Sequence, residues 1–172
     1  MLIAQISDCH IRSGPSPFDK LVDSSETLKQ VVSHLLSNKV QPDVVLATGD
    51  LTESGTDEEY VELLDLLSPL DLPILPIPGN HDEYSKFENS LERYLPKELP
   101  NSHCSYVNDD FPIRLIGLDT SLPGRHDGDF DDERFEWLEE KLVSDSEKPT
   151  LLFTHFPPFA SGIHFMDISG LK

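Results

Sequence analysis

Residues 73–82 read Pro-Ile-Leu-Pro-Ile-Pro-Gly-Asn-His-Asp, and their order decides the fold. An apolar run of strand length gives way at once to Gly79-Asn80-His81-Asp82, a turn of residues that bind metals and phosphates. The same pattern occurs three more times. Residues 1–7 are apolar with β-branched character and end at Asp8-Cys9-His10. Asp43–Thr48 is a near-continuous apolar run ending at Gly49-Asp50, and Thr150–Phe153 leads to His155. Each run reads as a β-strand, and the one before Gly49 reads as buried on both faces.

Helical patterns lie between the strands. One starts near Asp23 to Ser25 and runs to about Asn38, with Leu28, Val31, Val32, Leu35 and Leu36 on one stripe. Thr56-Asp57-Glu58-Glu59 is a capping-box pattern and opens a second helix, whose stripe is Tyr60, Leu63, Leu64 and Leu67. Strand, helix, strand, helix, strand at this spacing predicts βαβ units and a parallel sheet. Ligands of such sheets collect at the carboxyl ends of the strands. Here those ends carry Asp8 and His10, Asp50, and Asn80 and His81.

Gly14, Pro15 and Pro17 make residues 11–19 a loop. Beyond Asp82 the pattern predicts a helix over 83–95 and strands over Cys104–Val107 and Ile113–Leu118. A loop over 123–130 follows. A helix then spans Asp131–Asp145, with Phe135, Leu138 and Leu142 inward and Trp137 on its flank. Pro157-Pro158 breaks the chain, and Ala160–Lys172 reads as an irregular tail.

Composition narrows the function classes. The chain of 172 residues, 37% apolar, fits a single domain over 1–172 with a real core. No run is long enough to cross a bilayer. Met1 leads straight into a strand with no signal-peptide pattern, so cytoplasmic residence and no membrane partner are expected. Cys9 and Cys104 are too few for a disulfide framework and are expected as reduced thiols. Thirteen basic against 32 acidic residues give a formal charge of −19. That excludes a basic stripe for a nucleic-acid duplex. It would also repel an anionic substrate unless bound divalent cations reverse the field locally.

Carboxylate, imidazole and carboxamide oxygen together suit Mn, Fe, Zn or Co rather than an all-thiolate zinc site. If the chain stays extended through Cys9, Asp8 and His10 point the same way and reach one ion. Asp50 has two oxygens and can bridge two ions, with Asn80 and His155 serving the second. Two ions roughly 4 Å apart hold an attacking hydroxide and a phosphoryl oxygen together. His81 is free to hydrogen-bond the phosphate or protonate the leaving oxygen, with Asp82 or another carboxylate orienting it. His34, His103, His126 and His164 lack such context and read as surface or packing residues. Asp119 reads as a strand end or a supporting group, and Asp127 to Glu133 as solvated surface and a helix start.

Asp8-x-His10, Gly49-Asp50, Gly79-Asn80-His81-Asp82 and Thr154-His155-Phe156-Pro157-Pro158 resemble, in order, the first four blocks of the calcineurin-like metallophosphoesterases. Gly117-Leu118-Asp119-Thr120, the Trp137-Leu138 helix, and Gly162-Ile163 with Met166-Asp167 are most similar to the class III cyclic nucleotide phosphodiesterases and related glycerophosphodiesterases. The resemblance implies an α/β sandwich of two mixed sheets flanked by helices, incomplete at the C-terminus. It implies two divalent ions (Mn, Fe, Zn or Co), one held by Asp8, His10 and Asp50, the other by Asp50, Asn80 and His155. His81 would act as the catalytic contact to phosphate. A metal-bound hydroxide would hydrolyse a small phosphoester, a cyclic nucleotide or a glycerophosphodiester. Two other functions stay open at this point: a catalytically inactive scaffold or binding protein of the same fold, and a phosphomonoesterase or nucleotidase.

The sequence departs from that family in two places. Phe156 stands where members of this branch often carry a second histidine. The fifth block, Gly-His-x-His, does not follow the His-Pro-Pro turn. One ligand per ion is then missing, and the 172-residue form is expected to be impaired or inactive. The expected reason is that the chain is a fragment. The other arrangements are exchange with a second copy in a homodimer, or a scaffold that has lost catalysis.

Overall fold

The computed structural model describes residues 1–14, 22–100, 102–144 and 147–171. Pro15 and Pro17 of the expected loop, Asp145 of the expected helix and the terminal Lys172 lie outside the described residues. Two three-stranded sheets form the molecule. The first is β1 (Ile3–Ile6), β2 (Val44–Thr48) and β3 (Ile74–Ile77), all parallel, with β2 central. The second is β4 (Tyr106–Asn108), β5 (Arg114–Gly117) and β6 (Thr150–Phe153). There β5 is central, antiparallel to β4 and parallel to β6.

Alternation along β2 builds two core layers. Val44 and Leu46 face the second sheet and pack with Leu75, Ile77, Tyr106, Leu115 and Phe153. Val45 and Ala47 face helices and pack with Ile74, Leu28, Val32, Tyr60 and Leu63. Every residue of β2 is buried, which is why its sequence shows no polar alternation. Each fully buried Val or Leu contributes roughly 1.5–3 kcal/mol. Pro76 is tolerated because β3 lies at a sheet edge. Its carbonyl accepts the buried Tyr106 hydroxyl at 2.8 Å, which joins the two sheets.

The crossover helices start where expected. For α1 (Ser24–Ser37), the Asp23 carboxylate caps the Glu26 N–H at 2.9 Å. For α2 (Asp57–Leu67), Thr56 and Glu59 form the reciprocal capping box. The α1 stripe is narrower than expected. Leu28 and Val32 are buried and Leu35 partly so, whereas Val31 and Leu36 sit on the two flanks and stay exposed. The helix expected over 83–95 is α3 (Tyr84–Ser90) followed by a tight turn at Glu92–Tyr94.

Two expectations fail. In α4 (Asp132–Ser144) the inward face is shifted by one residue: Phe135 and Leu142 are exposed, and Arg134 is buried. Polar pairing outweighs apolar burial there. The Arg134 guanidinium donates to the carbonyls of Asp119 (2.8 Å) and Ser121 (3.1 Å) and to Asp131 (2.6 Å). Trp137, three residues on, meets the buried His103 edge to face at 5.7 Å. The tail after Pro158 is also not wholly irregular. It holds a short helix, α5 (His164–Ile168), preceded by a turn in which the Asp167 carboxylate accepts from Ser161 and Gly162.

Candidate metal centre

The strand-end segments run side by side. Asp8 N–H donates to the Gly49 carbonyl, His10 N–H to Asp50, Ile11 N–H to Leu51, and Glu53 N–H back to Ile11, all at 2.9–3.1 Å. This ladder places residues 8–11 along 49–53. It does not keep them extended. Asp8, His10 and Asp50 are the only non-glycine residues with positive φ among those described, at 55°, 44° and 50°. Asp8 and His10 therefore converge through left-handed turns, and strand alternation is not the reason. Each such residue costs of order 1–3 kcal/mol and persists only where the surroundings enforce it.

The convergence is tight. His10 Nε2 lies 3.9 Å from Asp8 Oδ1 and 3.7 Å from Asp50 Oδ2. His155 Nε2 lies 3.6 Å from the other Asp50 oxygen, Oδ1. Asp8, Asp50 and His155 offer donor atoms that all fall within 4.8 Å of one another. Asp50 is buried, so each oxygen of a desolvated carboxylate faces a different imidazole. Oδ1 also accepts the His81 N–H at 2.9 Å. Asn80 is half-buried between two anchored amides, Gly79 N–H on Asp82 (3.0 Å) and His81 N–H on Asp50. It lines a cavity of about 230 Å³ with His81, Tyr84, Ser121 and Gly124.

Two glycines keep the centre open. A Cβ on Gly49, at φ 90°, would sit 2.5 Å from His155 Nδ1, and one on Gly79 would sit 2.2 Å from Asp50 Oδ1.

The histidines are oriented from behind. His155 Nδ1 lies 2.9 Å from the Thr48 carbonyl and His81 Nδ1 lies 2.7 Å from the Glu53 carbonyl. A carbonyl only accepts, so both Nδ1 atoms carry the proton and both Nε2 atoms present a lone pair. His10 Nδ1 faces the Glu53 carboxylate at 2.9 Å. The rings of His10 and His81 meet edge to face at 4.8 Å.

Asp82 does not orient His81. It is buried and turned inward, where Leu51 N–H, Thr52 N–H and hydroxyl, Tyr60 hydroxyl and Gly79 N–H all donate to it at 3.0–3.2 Å. Burial pushes its carboxyl up and the backbone N–H groups pull it back. Its part is to join the Gly49-Asp50 turn to the Gly79-Asn80 turn. Asp119 is likewise consumed by neighbouring donors, accepting from Cys104 N–H before β4 and from Ser121 in its own loop. The Cys9 thiol is pushed up to about 12, first by burial and then by Asp82 and Asp8.

Sequence reasoning missed one residue. Glu53, placed three positions after Asp50, stands in no motif. His126, read as a surface residue, is exposed, with its ring 6.2 Å from that of His81. The remaining histidines are as expected: His103 packs in the core, and His34 and His164 are exposed. Both cysteines are free.

The chain matches the family model for calcineurin-like phosphoesterases over residues 1–169. It is 42% identical to a probable glycerophosphodiester phosphodiesterase of Arcobacter nitrofigilis, covering 100% of this chain and 63% of that protein. It is 37% identical to a glycerophosphodiester phosphodiesterase of Enterobacter lignolyticus, over 97% of this chain and 60% of that one. A 3',5'-cyclic adenosine monophosphate phosphodiesterase of Pseudomonas aeruginosa is 27% identical, over 100% of this chain and 61% of its own length. The chain thus spans about three-fifths of the length of these curated relatives. Among solved structures, a phosphopantetheinyl hydrolase of Mycobacterium tuberculosis shares the fold. It has a TM-score of 0.54 and 14% identity, over 99% of this chain and 76% of that one.

Proposed function

The chain belongs to the calcineurin-like phosphoesterase family, and we propose that it carries the catalytic centre of a phosphodiesterase using two divalent cations. The substrate class is a small phosphodiester. Glycerophosphodiesters come first, because the relatives named for them are 42% and 37% identical against 27% for the cyclic-nucleotide enzyme. One observation supports the two-cation reading above the others. The buried Asp50 carboxylate has an imidazole Nε2 at 3.7 Å from one oxygen and another at 3.6 Å from the other. A desolvated carboxylate with an imidazole nitrogen beyond each oxygen suits a bound cation on either side. Hard oxygen with imidazole nitrogen suits Mn, Fe, Zn or Co.

Asp8, His10 and Asp50 would hold one cation, and Asp50, Asn80 and His155 the other. Such a pair polarises a phosphoryl oxygen and acidifies a water molecule. The rest of the work falls to the chain. Asp50 would offer one oxygen to each position. The Thr48 carbonyl holds His155 in the tautomer that offers Nε2. His81, held by the Glu53 carbonyl and by Asp50, presents Nε2 toward the same opening. Protonated there, it donates to a phosphoryl oxygen or to the departing alkoxide. The cavity lined by Asn80, His81 and Tyr84 gives the alcohol part of the substrate room beside the centre.

The test is metal content by equilibrium dialysis together with hydrolysis of bis-nitrophenyl phosphate in added Mn²⁺. Stoichiometric Mn²⁺ that Asp50→Asn loses is expected, with metal-dependent turnover that is weak because the fifth block is missing and that Asp50→Asn abolishes. No stoichiometric cation and no turnover with Mn²⁺, Fe²⁺, Zn²⁺ or Co²⁺ would remove the proposal.

A further inference from the structure

Glu53 touches both His10 and His81 from behind. Its carbonyl takes the His81 Nδ1 proton at 2.7 Å, and its carboxylate lies 2.9 Å from His10 Nδ1. The Arg12 guanidinium sits 3.5 Å from the same carboxylate oxygen. Glu53, His10 and His81 bring their donor atoms within 4.8 Å of one another, as a second group beside Asp8, Asp50 and His155. The backbone bond from Glu53 N–H to the Ile11 carbonyl, 2.9 Å, fixes this arrangement.

The three histidines differ in how they are held. His155 and His81 each lean on a carbonyl. His10 leans on a carboxylate side chain, which a substitution can remove without touching the backbone. His10 Nδ1 is buried, and its N–H is close to Glu53 but not aligned as a hydrogen bond. Such contacts at catalytic centres are often loose until the centre is loaded.

Resting on the two-cation reading above, we propose that Glu53 is a positioning residue for His10. It holds the Nδ1–H tautomer, so that Nε2 faces Asp8 and Asp50, and it thereby sets the affinity of one cation position only. Partners of this kind behind metal-binding histidines are typically worth 10–100-fold in affinity. The position served by His155 rests on the Thr48 carbonyl and does not depend on Glu53.

The experiment compares the whole wild-type chain with Glu53→Ala, and with Glu53→Gln as the variant that keeps side-chain volume. Histidine tautomers are read by nitrogen–proton correlation NMR before metal is added. Co²⁺ is then titrated and followed by its visible absorption. In Glu53→Ala, His10 should lose its single tautomer while His81 and His155 keep theirs, and one of two Co²⁺ steps should weaken roughly 10–100-fold. Glu53→Gln should move in the same direction by a smaller factor, and it carries the test if the alanine variant does not fold. Unchanged His10 tautomer and Co²⁺ affinity would overturn the proposal. So would equal weakening of both steps, which marks a general structural role. Complete loss of one step with the His10 tautomer intact would make Glu53 a ligand and overturn it too. If wild type binds no Co²⁺, the proposed function fails, while the tautomer comparison still decides the role of Glu53.

Discussion

At the residue scale, the centre depends on groups that leave no room for substitution. Asp82 is buried and accepts from five donors. Asp82→Ala leaves buried N–H and O–H donors without an acceptor and should cost about 2–4 kcal/mol. Urea unfolding checks it, and a loss under 1 kcal/mol would contradict the account. Gly49→Ala meets two obstacles, a positive φ and the His155 ring 2.5 Å from the new Cβ. It should destabilise by about 1–3 kcal/mol and weaken cation binding by displacing His155, measured by Co²⁺ titration. His103 gives a pH dependence. Burial, then Arg134, holds its imidazole below the usual range, so the fold favours the neutral ring. Its contribution is complete above the unfolded value near 6.5 and is lost as pH falls below that toward the folded value. Melting temperature should therefore drop between pH 7 and pH 5 less steeply in His103→Phe than in wild type. An equal or steeper drop in the variant refutes this. Asp8, His10, Asp50 and His155 were legible in the sequence because each ends an apolar run. Glu53, and the carbonyl of Thr48, were not. Their role depends on which chain segment runs alongside, and that pairing spans about forty residues or more.

At the scale of elements, strands were easier to read than helix faces. A strand buried on both sides shows itself as uninterrupted Val-Val-Leu-Ala, whatever packs on it. A helix face is inferred from apolar spacing, and in α4 that inference was one residue out. The buried cation Arg134 is satisfied by two loop carbonyls that lie far from it in sequence. The capping box of α2 needed no tertiary information, since Thr56 and Glu59 lie three residues apart, and it was read correctly. The two cases predict different consequences. Thr56→Ala loses one local cap and should cost about 1 kcal/mol. Arg134→Met leaves the Asp119 and Ser121 carbonyls without a donor and should cost more, about 2–4 kcal/mol if both stay buried. Urea unfolding of the pair ranks them, and Thr56→Ala costing more than Arg134→Met would contradict the buried-arginine account of α4.

At the scale of the molecule, the centre bridges the two sheets. Asp8, His10, Asp50 and Asn80 follow strands of the first sheet, and His155 follows β6 of the second. A cation shared by Asp50 and His155 would thus tie the sheets where Tyr106 and Pro76 already do. Binding to the folded state alone adds about 2.7 kcal/mol at a hundredfold excess over Kd. For a chain of this size that is a rise of roughly 5–10 °C in melting temperature. The charge of −19 complicates the reading, because any salt relieves self-repulsion and raises stability a little. Mn²⁺ should therefore be compared with NaCl at matched ionic strength, in wild type and in His155→Ala. The part of the rise specific to Mn²⁺ should shrink in His155→Ala to the share of the position held by Asp8, His10 and Asp50, while the NaCl part persists. If His155→Ala keeps the full Mn²⁺ rise, the cation is held within the first sheet alone. The second sheet then has no share in the centre, and β6 supplies a histidine without a task there.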